Sequence, residues 1–360
     1  MNESNSVLYV SICSAESSPG IYKKVTGFIN GAKKNGFQSQ AKIIEPNGIR
    51  GNIAFIRQIL FAKEKNIIIR YIPKLGFIIF VLGICLKLKN QRFFIDVPTP
   101  MTNHLIEIFN GHNPRLQKIV NILFIVLMGS IPFLSCTKII QYSNESSFFS
   151  FLCSKKILLI GNGIDCDSIS PRLESPLWPA ETLKLVAVGT VAFWHGWDKI
   201  IKVISQINKD ETIPYNIHLS VIGDGPDLKI LEKLVKNLGI QEFVYFPGFL
   251  SGSLLEEQYK KAHFGIGSLG WDRVNIKLAS PIKTREYLAS GLPVIYSTKD
   301  VDLAQNNELA IYVEAREDNK ELKKILSSMD KRIIPHPLAC YEFSTLNFDF
   351  SKKVLQILDY

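Results

Sequence analysis

The stretch LASPIKTREYLASGLPVIY, residues 278–296, is the part of this 360-residue chain that decides the fold prediction. Ser280 and Pro281 are residue types that favour an N-cap and a first helical position, so a helix is predicted to begin there. Gly291 is placed to end that helix. Residues 292–296 are a short apolar, β-branched run, which predicts a buried strand. A helix that leads directly into a buried strand is typical of α/β proteins.

The start of this helix is a candidate anion site, because the first N–H groups of a helix have no partner within it. Lys283 places a cation in the first turn, where positive charge opposes the helix dipole unless an anionic ligand balances it. Glu286, about one turn later, can accept hydrogen bonds from a pair of hydroxyls. A phosphate together with a diol is what a nucleotide presents. The alternative is a surface Lys and Glu on an ordinary helix.

Three similar turns precede this stretch, and each comes directly after an apolar strand-like run. They are Gly189 after LKLVAV, GDGP at 223–226 after HLSVI, and PGF at 247–249 after EFVYF. Glycine lets the backbone turn tightly beside a ligand. In doubly wound sheets, ligands gather at the carboxyl ends of the strands, where these turns are predicted to lie.

The first half of the chain repeats the alternation of strands and helices. Strands are predicted at 7–13, 38–44, 66–71 and 92–97, and helices over 52–65 and 75–89 between them. This alternation predicts a second parallel sheet. The first turn, SSPG at 17–20, does not have the GxGxxG spacing, so no NAD-binding fingerprint is present.

With these motifs, the chain resembles the donor-binding half of retaining GT-B glycosyltransferases of the family-4 type, and the SPIK form at 280–283 resembles capsular and exopolysaccharide enzymes. That family carries a Glu-x7-Glu pattern, whose second Glu corresponds to Glu286. The first Glu corresponds to Leu278, a departure that puts the sugar contact, and with it activity, in question. The turn Asn162-Gly163-Ile164-Asp165 also matches a family turn near the crossing between domains.

The resemblance implies roles for particular residues. Lys283 would face the donor diphosphate and Glu286 would hold the ribose. His104, which comes after the segment DVPTP, would face the transferred sugar and join Lys283 and Glu286 as catalytic residues. A structural role for this lone His is the alternative. The implied donor-binding residues are Gly20, Gly189, Thr190, His195, Gly223, Asp224, Gly225, Phe249, Ser280, Pro281, Ile282, Lys283, Thr284 and Glu286.

Some of these assignments depart from the family or have structural alternatives. Family members often place Arg and Lys where this chain has Thr190 and His195, which leaves Lys283 as the main candidate phosphate cation. His195 would donate to a phosphate, or pack in an aromatic-rich turn. Phe249 would lie by the base, or belong to the core. In the first half, the loop of Gly20 would also bring Tyr22 and Lys23 near the sugar and acceptor.

The net charge of +9 is unevenly distributed. Residues 1–150 hold 17 Lys/Arg and 7 Asp/Glu, a net of +10, and residues 151–360 hold 25 and 26, a net of −1. A basic first half suggests an anionic partner such as a lipid surface or a lipid pyrophosphate. Nucleic acid is a weaker candidate, because no recognised binding motif is present. A basic surface that serves only solubility is the alternative.

Two apolar segments are long enough to raise the question of membrane contact. Residues 75–86 are too short to span a bilayer, whereas 119–137 are uncharged for nineteen residues. The second segment contains Asn121 and Pro132, so we predict a helix to about Met128, then a loop and a strand. A monotopic contact with a membrane surface is favoured over a transmembrane helix.

The cysteines and the N-terminus indicate a cytoplasmic protein. The six cysteines have no CxxC motif, so reduced thiols are expected rather than a disulfide framework or a zinc site. No basic segment precedes the first strand, so no signal peptide is predicted. Asp165-Cys166-Asp167 spells a DxD triplet, which we interpret as a coincidence within the NGID turn, and no metal site is predicted.

The prediction as a whole is an α/β GT-B protein, with two Rossmann-like doubly wound parallel-sheet domains facing across a cleft and a C-terminal helix crossing back. The predicted segments are an acceptor domain at 1–165, a Pro-containing linker at 166–182, a donor domain at 183–335, and a helical tail at 336–360 that packs on the first domain.

The predicted function is retaining transfer of a hexose from a UDP- or GDP-linked donor to a lipid-linked or oligosaccharide acceptor, in surface polysaccharide synthesis. The protein would need no cofactor besides the donor, and would lie peripherally on the inner face of the cell membrane. The alternatives are a catalytically silent homologue that binds a partner, and a sugar-nucleotide epimerase on the same fold.

Overall fold

The computed structural model of the chain describes residues 5–16, 18–97, 105, 114–143, 153–304, 306–314 and 316–359. The chain forms two compact units. The first comprises Met1–Asp165 together with Asp349–Tyr360, and the second comprises Cys166–Phe348. The predicted boundary at 335/336 differs from this division, in which residues 336–348 lie with the second unit.

The first unit is built on a six-stranded sheet with the order β2-β1-β3-β4-β5-β6. All neighbouring strands are parallel, with Tyr9 opposite Ile68 and Ile69 opposite Ile95. The β-branched and aromatic runs of the sequence form these strands because both faces of a parallel sheet are buried. The strands are β1 Ser6–Ile12, β2 Gln38–Ile44, β3 Asn66–Arg70, β4 Arg92–Val97, β5 Lys138–Gln141 and β6 Ile157–Leu159.

Helices cover both faces of this sheet. Those that precede the second unit are α1 Pro19–Lys34, α2 Gly48–Leu60, α3 Gly76–Leu88, α4 Arg115–Met128 and α5 Pro132–Ser135. Side chains of α2, α3 and α5 share one core, with Phe55, Ile79 and Phe133 almost fully buried. Helix α1 lies on the other face.

The second unit is built on a seven-stranded sheet with the order β14-β15-β12-β10-β7-β8-β9. Every pairing is parallel except that of β14 with β15. A separate parallel pair, β11 with β13, sets Leu278 opposite Lys299 and Ala279 opposite Asp300. The strands are β7 Thr182–Val188, β8 Asn216–Ile222, β9 Val244–Gly248, β10 Phe264–Ile266, β11 Leu278–Ala279, β12 Val294–Tyr296, β13 Lys299–Asp300, β14 Asn306–Asn307 and β15 Ala310–Tyr312.

The helices of the second unit alternate with its strands, as in a doubly wound fold. They are α6 Trp197–Ile207, α7 Leu228–Leu238, α8 Gly252–Lys261, α9 Ile282–Ala289, α10 Lys320–Leu326 and α11 Pro337–Asn347. Helix α11 packs against α9. The last helix, α12 Phe350–Leu358, belongs to the first unit. There it packs on α1, where Gly31 is so close that an added Cβ would lie 2.5 Å from the backbone carbon of Phe350.

Two sheets, the first parallel and the second parallel except for the pair β14–β15, confirm the predicted α/β architecture, and most predicted elements are present. Helix α4 ends at Met128, as predicted, and a short helix and strand β5 come next. The helix predicted over 52–65 is displaced: α2 already begins at Gly48 and ends at Leu60. Among the described residues, no helix is both long enough and apolar enough to cross a membrane.

The helix of the opening stretch begins later than predicted. It starts at Ile282, and Pro281 occupies the cap position with φ −66° and ψ 131°. Ser280 is therefore not the N-cap, because the extended backbone of Pro281 separates it from the helix. The predicted C-terminus is confirmed: Gly291, with φ +77°, comes directly after the capping Ser290, and Val294–Tyr296 form the buried strand.

Candidate functional site

The candidate site lies at the carboxyl edge of the second sheet, where the predicted glycine turns meet. The Gly189 N–H donates to Ile222 O, and the Gly223 N–H donates to Gly248 O. These hydrogen bonds join the turns after β7, β8 and β9 into one backbone surface. The Val191 N–H donates to Asp224 O at 2.9 Å, which extends the contact beyond the strands.

Two glycines of the GDGP turn are required by this close approach. A Cβ on Gly223 would lie 1.9 Å from Gly189 O, and one on Gly225 would lie 2.3 Å from Val191 O. Gly223 also has φ +136°, a conformation that L side chains rarely adopt. The turn therefore depends on glycine for both space and conformation, in agreement with the prediction of a tight turn here.

His195 lies beside Gly189 and is held from several sides. Its ring stacks on Trp197 with a centroid separation of 4.8 Å, and its Nδ1 lies 2.8 Å from Ser268 Oγ, within hydrogen-bond distance. Its carbonyl accepts a hydrogen bond from the Leu269 N–H. Burial, and next the positive charge of Lys283, lower the pKa of His195 to about 4. The imidazole is therefore neutral at pH 7, and it shares its surroundings with Lys283.

The start of α9 carries the two charged residues predicted from the sequence, Lys283 in its first turn and Glu286 one turn later. Lys283 Nζ donates to Glu286 Oε2 at 2.5 Å, so the ammonium and the carboxylate form an ion pair with each other. The N–H groups of Ile282, Lys283 and Thr284 have no partner within the helix, because they lie in its first turn. Together they can hold an anion next to the Lys283 ammonium.

Tyr287 fixes α9 against the sheet. The Val188 N–H donates to Tyr287 Oη at 2.8 Å, and this hydroxyl donates to Ile266 O at 3.3 Å. The ring fills the space over Gly265, where an added Cβ would lie 2.6 Å from it. The hydroxyl thus joins the ends of β7 and β10 directly to α9.

Arg285, which the sequence analysis missed, is the second anchor of α9. Its guanidinium is fully buried and donates to both carboxylate oxygens of Asp300 and to Asp302 Oδ2 at 2.9 Å. It also lies 4.7 Å above the ring of Phe348. Asp300 is on β13, which pairs with β11, and β11 comes just before α9 in the chain. The ion pair therefore connects α9 to the strand pair that precedes it.

Several buried polar atoms at this edge have no hydrogen-bond partner among the described residues. They include Trp197 Nε1, Thr284 Oγ1, Tyr296 Oη and Thr298 Oγ1. Trp197 and Thr284 begin α6 and α9, while Tyr296 ends β12 and Thr298 lies just beyond it, so all four lie at the carboxyl edge of the sheet. Buried polar atoms are usually paired, so these four are candidates to contact a polar ligand.

The remaining predicted site residues are divided between the two units. Thr190, Asp224 and Phe249 are exposed after β7, β8 and β9. Gly20 lies in the first unit, inside the first turn of α1 rather than in a loop, and nothing lies within 4 Å of where its Cβ would be. His104 lies outside the described residues.

The first unit has a buried polar cluster that the sequence analysis also missed. Asp96 accepts hydrogen bonds from Tyr9 Oη and from Lys24 Nζ at 3.1 Å, and Arg70 lies 3.9 Å away. Lys24 also lies 3.6 Å above the ring of Tyr142. Burial lowers the pKa of Lys24 to about 8, although the Asp96 carboxylate opposes that shift. The neighbouring Lys23, the candidate predicted from the sequence, is exposed.

One protein family matches part of the second unit. Residues 172–302 match the family model described as Glycosyl transferases group 1. The match includes every candidate site residue of the second unit, from Gly189 to Glu286. The second unit is thus similar to this family over residues 172–302. No curated protein matches the sequence of the chain significantly.

Solved structures share the fold over 81–98% of the chain. Sucrose-phosphate synthase from Thermosynechococcus elongatus is 14% identical with a TM-score of 0.66, and covers 97% of each chain. The apo form of lipopolysaccharide outer core galactosyltransferase WaaB is 12% identical with a TM-score of 0.60, covering 98% of this chain and 99% of that one. A variant of TarM from S. aureus in complex with fondaparinux, alpha-GlcNAc-glycerol and UDP is 12% identical with a TM-score of 0.53, covering 81% of this chain and 55% of that one. These likenesses confirm the predicted GT-B fold class.

Proposed function

We propose that the chain is a retaining glycosyltransferase that moves a sugar from a UDP- or GDP-linked donor to a lipid-linked glycan acceptor. It would act in surface polysaccharide synthesis, such as capsule synthesis, at the cytoplasmic face of the membrane. The observation that carries the proposal is the convergence of Lys283, His195 and the first turn of α9 at one sheet edge. These residues lie inside the stretch that matches Glycosyl transferases group 1.

The chemistry of transfer suits this arrangement. As the bond to the sugar breaks, negative charge grows on the leaving diphosphate, and stabilising that charge is the largest electrostatic demand of the step. The N–H groups of Ile282 to Thr284 and the ammonium of Lys283 would supply this stabilisation. His195, neutral at pH 7, would contribute a hydrogen bond rather than a charge. No cofactor beyond the donor is proposed.

The rest of the donor would be held by groups around the same edge. Glu286 would leave its ion pair with Lys283 to accept hydrogen bonds from the ribose hydroxyls. The exposed ring of Phe249 would stack on the base. The close backbone approach at Gly189 and Gly223 would bring N–H groups near the phosphates. UDP is the nucleotide in the TarM complex, which makes it the first donor nucleotide to test.

The acceptor would bind the first unit, whose charge favours an anionic group. Residues 1–150 carry 17 Lys/Arg against 7 Asp/Glu, and this excess suits the pyrophosphate of a lipid-linked glycan. His104 and Gly20 remain proposed contacts of the transferred sugar.

A catalytically silent homologue is the second candidate, and two observations favour it. Leu278 is an apolar, half-buried residue where the resemblance implies a sugar-binding Glu. The ion pair of Lys283 with Glu286 also satisfies both charged groups without a ligand. A silent homologue would still bind nucleotide or partner at the same edge, so binding and turnover have to be measured separately.

The test has two stages. Thermal shift against a panel of UDP- and GDP-sugars selects the donor. That donor, radiolabelled in its sugar, is then incubated with the protein and a membrane extract. Transfer of label to lipid supports the proposal, and binding without turnover supports the silent homologue. Isomerised donor would indicate an epimerase instead, and a panel without any stabilising nucleotide would overturn the donor site itself.

A further inference from the structure

Helices α2 and α3 bury one side against the first sheet, yet they expose apolar residues on the other. On α3, Phe77, Val81 and Ile84 contribute to the outer surface with 42–57% of their area exposed. They are spaced by four and three residues, so they form one stripe along the helix. A helix on the surface of a soluble domain normally presents polar residues there, and such a stripe marks an interaction surface.

Helix α4 repeats this arrangement and adjoins α3. Its exposed apolar residues include Leu116, Ile119 and Leu123, spaced by three and four residues along one helical stripe and 54–75% exposed. The two helices meet at their ends, since a Cβ on Gly76 would lie 2.1 Å from Met128 O. Tyr71 also donates a hydrogen bond to Gly129 O.

Helix α2 continues the surface beyond α3. It packs against α3 and shares its core, with Phe55 and Ile59 buried toward the sheet. Its outer side carries Ile49 and Ile53, which are 77% and 59% exposed. We call the outer sides of α2, α3 and α4 the apolar helix surface.

The charges on these three helices are all of one sign. The helices contain Arg50, Arg57, Lys87, Arg115 and Lys118, and no Asp or Glu. An apolar stripe with cations around it matches the boundary between the acyl chains and the headgroups of an anionic bilayer. A protein partner that buried this surface would in addition have to supply carboxylates for the cations.

We infer that the apolar helix surface is the site at which the chain docks on a bilayer that contains anionic phospholipid. The apolar side chains enter the headgroup and acyl boundary, while the Arg and Lys side chains contact lipid phosphates. This inference deepens the proposed function by naming its membrane contact. The apolar helix surface includes no residue of the candidate donor site. The membrane inference and the proposed function can therefore fail independently.

The test is sedimentation of the full-length protein with vesicles of phosphatidylcholine alone or mixed with phosphatidylglycerol. The double variant Val81→Glu/Leu123→Glu places charge at two exposed positions, and we expect at least a tenfold loss of binding to the anionic vesicles. The matched control is Ile230→Glu/Leu254→Glu, whose sites in the second unit are 63% and 59% exposed. The control should bind like the unaltered protein.

A charge variant tests the second half of the inference. Arg57→Gln/Lys87→Gln/Arg115→Gln should weaken binding to the anionic vesicles by about fivefold for each cation removed, with little effect on any binding to phosphatidylcholine alone. Equal binding of the unaltered protein to both vesicle types would overturn the requirement for anionic lipid.

Two further outcomes would overturn the inference as a whole. One is that the unaltered protein stays in the supernatant with both vesicle types. The other is a dimer that dissociates in Val81→Glu/Leu123→Glu, without vesicle binding, which would assign the surface to a second copy of the chain. Thermal shift with UDP and GDP on the same variants separates this test from the proposed function, because nucleotide binding should not change.

Discussion

Lys283 Nζ lies 2.5 Å from Glu286 Oε2, one turn apart at the start of α9. Each residue was predicted to contact a different part of a nucleotide, and without ligand they contact each other. The carboxylate balances a cation that the helix dipole disfavours at this position. Ligand binding would therefore exchange one ion pair for two contacts, with phosphate and with ribose.

The first prediction concerns the cation. Lys283→Ala should weaken binding of UDP or GDP by about 1.5–3 kcal/mol, because a charged hydrogen bond to the diphosphate is lost. Calorimetry measures this effect, and Lys299→Ala, at an exposed position on β13, is the control. The loss should be smaller for the nucleoside monophosphate. Unchanged diphosphate affinity in Lys283→Ala would remove the proposed role.

The second prediction concerns the carboxylate. Glu286→Gln should weaken binding of the complete nucleotide by about 1–3 kcal/mol, because the amide accepts hydrogen bonds from the ribose hydroxyls less strongly than the carboxylate. Glu286→Gln should hardly change the affinity for a 2′,3′-dideoxy nucleotide, because that ligand has no diol for Glu286 to bind. Equal losses for both ligands would show that Glu286 acts only through Lys283.

The third prediction concerns the contact between turns. Gly223→Ala should destabilise the second unit by more than about 2 kcal/mol, because the new Cβ would overlap Gly189 O. Gly239→Ala is the control: this glycine also has a positive φ, +70°, but nothing lies within 4 Å of the Cβ position. It should cost about 1 kcal/mol. Urea unfolding monitored by tryptophan fluorescence measures both, and similar losses would mean that the clash is relieved by backbone movement.

The fourth prediction concerns pH. Because the pKa of His195 is lowered to about 4 from its ordinary 6.5, the unfolded chain binds a proton between these values while the folded chain does not. Stability should thus fall as pH drops from about 6.5 to about 4, by roughly 2–3 kcal/mol from this residue. His195→Gln should lose that part of the pH dependence. An NMR titration that gives His195 a pKa near 6.5 would contradict the prediction.

The sequence could predict the strands, the glycine turns and the end of α9, because each depends on residues close together in the chain. Apolar β-branched runs must be buried, and Gly291 supplies the positive φ that ends α9. The predicted start of α9 was wrong, because Pro281 has an extended ψ and precedes the helix instead of beginning it. Propensity alone does not distinguish a Pro that precedes a helix from one that begins it.

The anchors of the site could not be predicted, because they join residues that are distant in sequence. Arg285 reaches Asp300 across 15 positions, and the buried pair of the first unit, Lys24 with Asp96, spans 72. No periodicity links such pairs, and a buried Arg in the sequence looks the same as an exposed one. In the same way, the sequence placed His195 in an aromatic-rich turn, but did not show that its ring stacks on Trp197 and remains neutral.

The last prediction concerns the buried pair that supports α9. Arg285→Met should destabilise the second unit by about 3–5 kcal/mol, because Asp300 would remain buried without its partner cation. Arg316→Met, which breaks an exposed pair with Glu314, is the control and should cost less than about 1 kcal/mol. Fluorescence reports the second unit specifically, since all four tryptophans lie there: Trp178, Trp194, Trp197 and Trp271.

A double-mutant cycle separates the ion pair from simple packing. Arg285→Met/Asp300→Leu removes both charges, so it should be more stable than the sum of the two single variants by more than about 1 kcal/mol. A coupling energy near zero would show that Arg285 contributes through its packing on Phe348 instead. If the pair also positions α9 for the donor, Arg285→Met should weaken nucleotide binding while Arg316→Met leaves it unchanged. Because β13 pairs with β11 just before α9, displacement of Asp300 would be transmitted to the segment that precedes Lys283.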